Sequence, residues 1–112
     1  MNLAMYILVN GDIKFGKGVL AGQVGHAVGI FHYRGKYTKE LMDDYMKKPR
    51  KVILKCPQSK LEELEREGYI TIRENDTPQL PKNALTCINI GIYDRDNNEV
   101  PDLVKGLKLY PK

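Results

Sequence analysis

The chain has 112 residues, 42% hydrophobic and 29% charged, with a net charge of +4 and a pI near 9.0. That length holds a single domain, 1–112, around one core. No apolar run approaches the roughly 20 residues of a membrane span, the N-terminus lacks the basic region of a signal peptide, and the basic balance points to a polyanionic partner.

Met5 to Asn10 is a continuous apolar run, which predicts a central strand covered on both faces. Gly11 to Gly18 is a loop. A first helix runs from about Gly18 to Tyr33, with Leu20, Val24, Ala27 and Phe31 on its core face, and Gly35 breaks it. Thr38 caps a second amphipathic helix that reaches about Lys47, with Leu41, Tyr45 and Met42 inward, and Pro49 stops it. Val52 to Cys56 is the second strand. Ser59, paired with Glu62 in a capping box, opens a short helix that ends at Gly68. Tyr69 to Arg73 is the third strand, Glu74 to Asn83 a polar loop with two prolines, and Ala84 to Ile92 the fourth strand. After a turn at Asp94 to Glu99, Pro101 opens a C-terminal helix. Strands alternating with helices predict an α/β fold with a largely parallel sheet. Cys56 and Cys87 each lie in an apolar strand and read as free buried thiols in a reducing cytosol.

The stretch Lys14 to Phe31 carries most of the chemical signal. Gly18, Gly22, Gly25 and Gly29 recur at spacings of 4, 3 and 4, which lines them up on one side of the helix. Each helix-interior glycine costs roughly 0.8–1 kcal/mol relative to alanine, so the stripe costs about 3 kcal/mol. A bare side lets a neighbouring helix, a ligand or a second subunit come within backbone distance. Lys17 stands at the helix entrance between Gly16 and Gly18. It is either a solvated loop lysine or the cation of an anion site where a strand end meets a helix N-terminus. The spacing is neither a Walker A loop nor a dinucleotide fingerprint. His26 is either a hydrogen-bonded core histidine or a reactive one, and Gln23 either an oriented amide or a core-edge residue. Basic residues gather in two groups: Lys14, Lys17, Lys36 and Lys39 around this helix, and Lys47, Lys48, Arg50 and Lys51 before the second strand. No metal-ligand spacing, triad or cofactor motif is present in the sequence.

The G-K-G at Gly16, Lys17 and Gly18, followed by Ala21, Gln23, His26 and Ala27, resembles the signature of the type 2 peptidyl-tRNA hydrolases. The likeness extends to Arg50 through Pro57, to Gln79, Thr86, Ile90 and Gly91, and to Leu107, Lys108 and Leu109. It implies a three-layer α/β/α sandwich with a four-stranded, mostly parallel mixed sheet. It also implies hydrolysis of the ester that joins a peptidyl group to tRNA, in the cytoplasm and without a cofactor, with tRNA as partner and a homodimer as the assembly. Lys17, His26, Glu74, Asp76 and Thr86 become the catalytic candidates. Lys14, Gly16, Gly18, Gln23 and Gln79 become the substrate-binding ones.

The chain departs from the family pattern at identifiable places. The second lysine of G-K-G-K is Val19, and the serine before the histidine is Gly25. The loop pattern R-D-A-G-x-T-Q falls on Arg73 to Gln79, which puts the family's aspartate at Glu74, or at Asp76 after a local shift, and its threonine at Pro78. Thr77 or Thr86 is then the replacement hydroxyl. These losses keep two rivals open: a catalytically weakened relative that binds RNA or protein, and a small-molecule or protein-binding regulator with no RNA role.

Overall fold

The computed structural model describes residues 2–97 and 99–110. Its elements are β1 (Leu3–Asn10), α1 (Lys17–Arg34), α2 (Lys39–Lys47), β2 (Arg50–Cys56), α3 (Gln58–Arg66), β3 (Ile70–Glu74), β4 (Ala84–Asp94) and a short 3-10 turn at Asp102–Val104. The four strands form one sheet in the order β2-β1-β4-β3. No helix among the described residues is long and apolar enough to cross a membrane.

Strand β1 is buried along its whole length, as its unbroken apolar run requires. One face of the sheet packs Met5, Ile7, Val9 and Cys87 against Ala27 and Phe31 of α1 and Tyr45 of α2. The other packs Tyr6, Leu8, Leu54 and Ile88 against Leu61 and Leu64 of α3 and against Val104. The sheet therefore lies between two helical layers. Both cysteines are free and buried, and burial pushes their thiols up to about 11 (Cys56) and about 12 (Cys87).

The expectation of a mostly parallel sheet needs correcting at the level of ladders. β1 and β2 are parallel, but β4 runs antiparallel to both β1 and β3. Three strands point one way, and the reversed strand β4 sits between β1 and β3. The cause lies in the connections. The β1-to-β2 crossover contains α1 and α2, as a parallel pair needs, whereas β3 reaches β4 through a loop with no helix.

Two local expectations also change. Ser59 does not cap α3; Pro57 occupies the N-cap position, and the Asp12 carboxylate, brought from the β1–α1 loop, accepts the Gln58 N–H at 2.9 Å. A cap supplied from another element leaves no local sequence signature. The C-terminal helix shrinks to three residues, after which Gly106 turns at φ +87° and the chain runs extended along β2. There Lys108 accepts from the Lys55 N–H, Tyr110 donates to Ile53, and Leu109 bridges Leu54. This segment covers the outer edge of β2. The predicted end of α3 holds: Gly68 takes φ +97° just beyond it, its N–H bonding the Glu65 carbonyl and the Tyr69 N–H the Leu64 carbonyl.

Candidate active site

The carboxyl ends of β1 and β3 lie on the same edge of the sheet as the start of β4. Ligand sites of open α/β sheets form at such edges. Glu74 closes β3, Thr86 lies near the start of β4, and α1 crosses above both.

A register shift places Thr86. Ile72 pairs with Cys87 and Arg73 with Leu85, so Thr86 is the extra residue of a bulge. Its hydroxyl donates to Gln23 Oε1 at 2.7 Å, with the Ile72 carbonyl as a longer acceptor at 3.3 Å. Gln23 Nε2 then donates to Glu74 Oε1 at 2.7 Å. Glu74 Oε2 accepts the Asp76 N–H at 2.8 Å. The amide orientation follows from chemistry, because an ionised carboxylate only accepts hydrogen bonds. Thr86 is 0% and Gln23 3% exposed. Their polar atoms bond one another, and Gln23 also bonds Glu74.

Glu74 is the acid of this arrangement. The Gln23 amide and then the Asp76 N–H hold its carboxyl below the usual carboxylate range, with smaller contributions from Thr77 and from the charge of His26. Asp76 supplies its backbone N–H. Pro78, at the family's threonine position, is exposed, and the hydroxyl turned toward Glu74 belongs to Thr77, one residue earlier. Just before Glu74, Arg73 forks the Glu65 carboxylate at 2.9 and 2.6 Å and tethers β3 to α3.

His26 is exposed, one helical turn after Gln23 on the side of α1 nearest β3, so it is not a core histidine. It lines a shallow groove with Gly25, Gly29, Thr71 and Ile72. A buried polar residue that ties β4 to α1 went unnoticed in the sequence. Asn89, buried on β4, donates to the Ala27 carbonyl at 3.1 Å while its Oδ1 accepts the Gly91 N–H at 2.9 Å. A lone amide between Ile88 and Ile90 was the available signal.

Lys17 is the first residue of α1 and is exposed. His26 lies nine positions further on, which is two and a half turns, or about 13.5 Å along the axis and on the opposite side. The two side chains therefore do not converge on one atom. Gly16 caps α1 without a side-chain hydrogen bond, and no acid sits in the first turn, so the helix opens on uncapped N–H groups beside Lys17. Lys14 and Gln79 are exposed on the flanking loops, and Gly18 is exposed in the first turn of α1.

The glycine stripe faces away from the core. A Cβ at Gly18, Gly22, Gly25 or Gly29 would have nothing within 4 Å. A neighbouring helix of the same chain is thus excluded as its reason. A substrate or a second copy remains.

A model of the peptidyl-tRNA hydrolase PTH2 family matches residues 3–110. The chain belongs to this family. A peptidyl-tRNA hydrolase of Methanopyrus kandleri is 34% identical over 94 residues, covering 76% of this chain and 80% of that protein. Peptidyl-tRNA hydrolases of Saccharolobus islandicus and Saccharolobus solfataricus are each 29% identical, over 118 and 120 aligned positions that cover at least 94% of both partners. Of the residues matching the PTH2 pattern, Gln23 and Thr86 are hydrogen-bonded to one another at the carboxyl edge, and Gln23 to Glu74. Val19 lies four residues before Gln23, on the same helix face, so the departure from lysine there removes a cation from the side of Glu74 rather than from the side of Lys17.

Proposed function

We propose that this chain is a single-domain, cytoplasmic hydrolase that cleaves the ester between a peptidyl group and the 3′ ribose of tRNA. The observation that carries the reading is the hydrogen-bonded chain from Thr86 through Gln23 to Glu74, which ends beside the exposed His26. His26 takes a proton from the attacking water, and the Glu74 carboxylate steadies the positive imidazole. Collapse of the tetrahedral intermediate breaks the bond to the ribose oxygen, which receives that proton. Gln23 and Thr86 act as positioning residues. Lys17 and the uncapped start of α1 receive phosphates near the 3′ end of the tRNA, since Lys17 lies too far from His26 to share its reacting atoms. A second copy of the chain on the open glycine face is the assembly that fits this reading, and sedimentation tests it.

The test is release of labelled peptide from an N-blocked aminoacyl-tRNA by the wild type and by His26→Ala. General acid–base groups contribute about 100- to 10,000-fold, and a loss in that range is expected. Absence of release by the wild type, or equal release by the variant, overturns the reading. Val19 favours a second reading, a relative that binds tRNA and has lost hydrolysis. It predicts tRNA binding with no release by either protein.

A further inference from the structure

In sequence, Lys47, Lys48, Arg50 and Lys51 form one of two basic groups, but the fold sorts the charges differently. The ladder between β1 and β2 runs from Ala4 and Arg50 to Asn10 and Cys56. Arg50 thus lies about 20 Å, six strand steps, from the carboxyl edge where Glu74 and Lys17 sit. At that far end three of the four cations, all but Lys48, are already engaged. Lys47 pairs with Asp44 at 3.1 Å, Arg50 donates to Asn2 at 2.9 Å, and Lys51 donates to the Tyr45 hydroxyl at 3.1 Å with its ammonium over the ring. Asp44 and Asp96 line the same cleft. Lys47, Lys48 and Arg50 line that cleft as well, so a phosphate arriving there meets two carboxylates among its cations.

The carboxyl edge is different. Lys55 is the next-to-last residue of β2, and its aliphatic stem lies across Gly11, where a Cβ would come 2.7 Å from Lys55 Cγ. The missing side chain at Gly11 thus seats Lys55 against the loop that carries Lys14. Lys55 also donates its N–H to the Lys108 carbonyl at 2.8 Å. The two residues stand opposite one another next to the Leu54–Leu109 bridge, so their side chains share a face. Lys55 and Lys108 line one cleft together with Gly11 and Asp12. Asp12 is the acid of that cleft, and its Oδ2 is committed to the Gln58 N–H at the start of α3. Lys14, Lys55 and Lys108 are all exposed. They come from three separated segments, so no stretch of sequence displays them as a cluster.

We infer that the phosphodiester backbone of the acceptor stem docks on this carboxyl edge, across Lys14, Lys55 and Lys108, and that the Lys47–Lys51 cluster takes no part. The inference rests on the tRNA-directed reading above. Phosphate contacts of this kind position the RNA without reading its sequence.

The experiment measures binding of a deacylated, fluorophore-labelled tRNA to the full chain across a range of salt. Each phosphate contact adds roughly one unit to the log–log slope. Lys55→Gln with Lys108→Gln should therefore flatten the slope by about two units, and Lys55→Arg with Lys108→Arg should restore it. Lys47→Gln with Lys48→Gln should keep the wild-type slope. A wild-type slope in the Lys55/Lys108 variant, or a flattened one in the Lys47/Lys48 variant, overturns the inference, as does a wild-type slope near zero. Peptide release is scored separately. No release by the wild type, with the slopes as expected, would overturn hydrolysis and leave the docking surface standing.

Discussion

The Gln23 amide donates to the Glu74 carboxylate at 2.7 Å and joins residues 51 positions apart in sequence. One end of the amide is fixed by the Thr86 hydroxyl from the bulge in β4 and the other by the carboxylate, so three elements hold one acid in place.

Removing the hydroxyl isolates that contribution. Thr86→Val keeps the shape of the side chain but leaves Gln23 Oε1 without its buried donor. An unsatisfied buried polar group costs about 1–3 kcal/mol, which urea unfolding should register. Turnover should fall in kcat with KM nearly unchanged, because Thr86 is buried and is proposed to act through Gln23. Wild-type stability and kcat together in Thr86→Val would show that the amide is positioned without it.

The Glu74 carboxyl is held below its ordinary value of 4.5 by the Gln23 amide first and the Asp76 N–H second. A lowered folded-state value means that its stabilising contribution is complete above about pH 4.5 and is lost as the pH falls through the folded value. The melting-temperature gap between wild type and Glu74→Gln should therefore narrow below that pH. Glu65, whose carboxyl the Arg73 guanidinium also holds down, is present in both proteins and cancels in the comparison. A gap that stays constant from neutral pH to pH 3 contradicts the assignment.

Val19→Lys tests the missing lysine of the family pattern. From the face of Gln23, one turn earlier, a new ammonium reaches toward Glu74 and the groove at His26. If that cation stabilises developing negative charge, kcat/KM should rise at least about tenfold, roughly 1.4 kcal/mol of transition-state stabilisation. An unchanged or lower kcat/KM in a folded Val19→Lys protein would mean that the chain has compensated for the loss elsewhere.

The glycine stripe has room for a methyl group at each position. Gly22→Ala should stabilise the isolated chain by about 0.8–1 kcal/mol, through helix propensity alone. Thermal melting, sedimentation and tRNA binding of this variant separate the roles that remain. Stabilisation with weaker tRNA binding marks a substrate surface, and stabilisation with loss of a dimer marks a subunit contact. If neither property changes, the stripe serves no partner.

Local pattern in the sequence determined the elements and little of the site. The apolar run of β1, the Thr38 cap (whose hydroxyl accepts the Leu41 N–H at 3.1 Å), the Gly68 terminus and the core face of α1 were readable because the signal and the structure involve the same few residues. So was the motif from Gly16 to Ala27, since it lies on one helix. Tertiary structure alone decided what depends on partners distant in the chain. Asp12 rather than Ser59 caps α3, the β4 bulge aims Thr86 at Gln23, and Glu74 rather than Asp76 accepts the Gln23 amide. The same holds for charge. Lys47 to Lys51 is conspicuous in sequence and partly neutralised in space, whereas Lys55 and Lys108 meet only because the C-terminal segment pairs with β2. Local sequence encodes short-range hydrogen bonds and burial periodicity, but which side chains meet across a sheet depends on strand order and register.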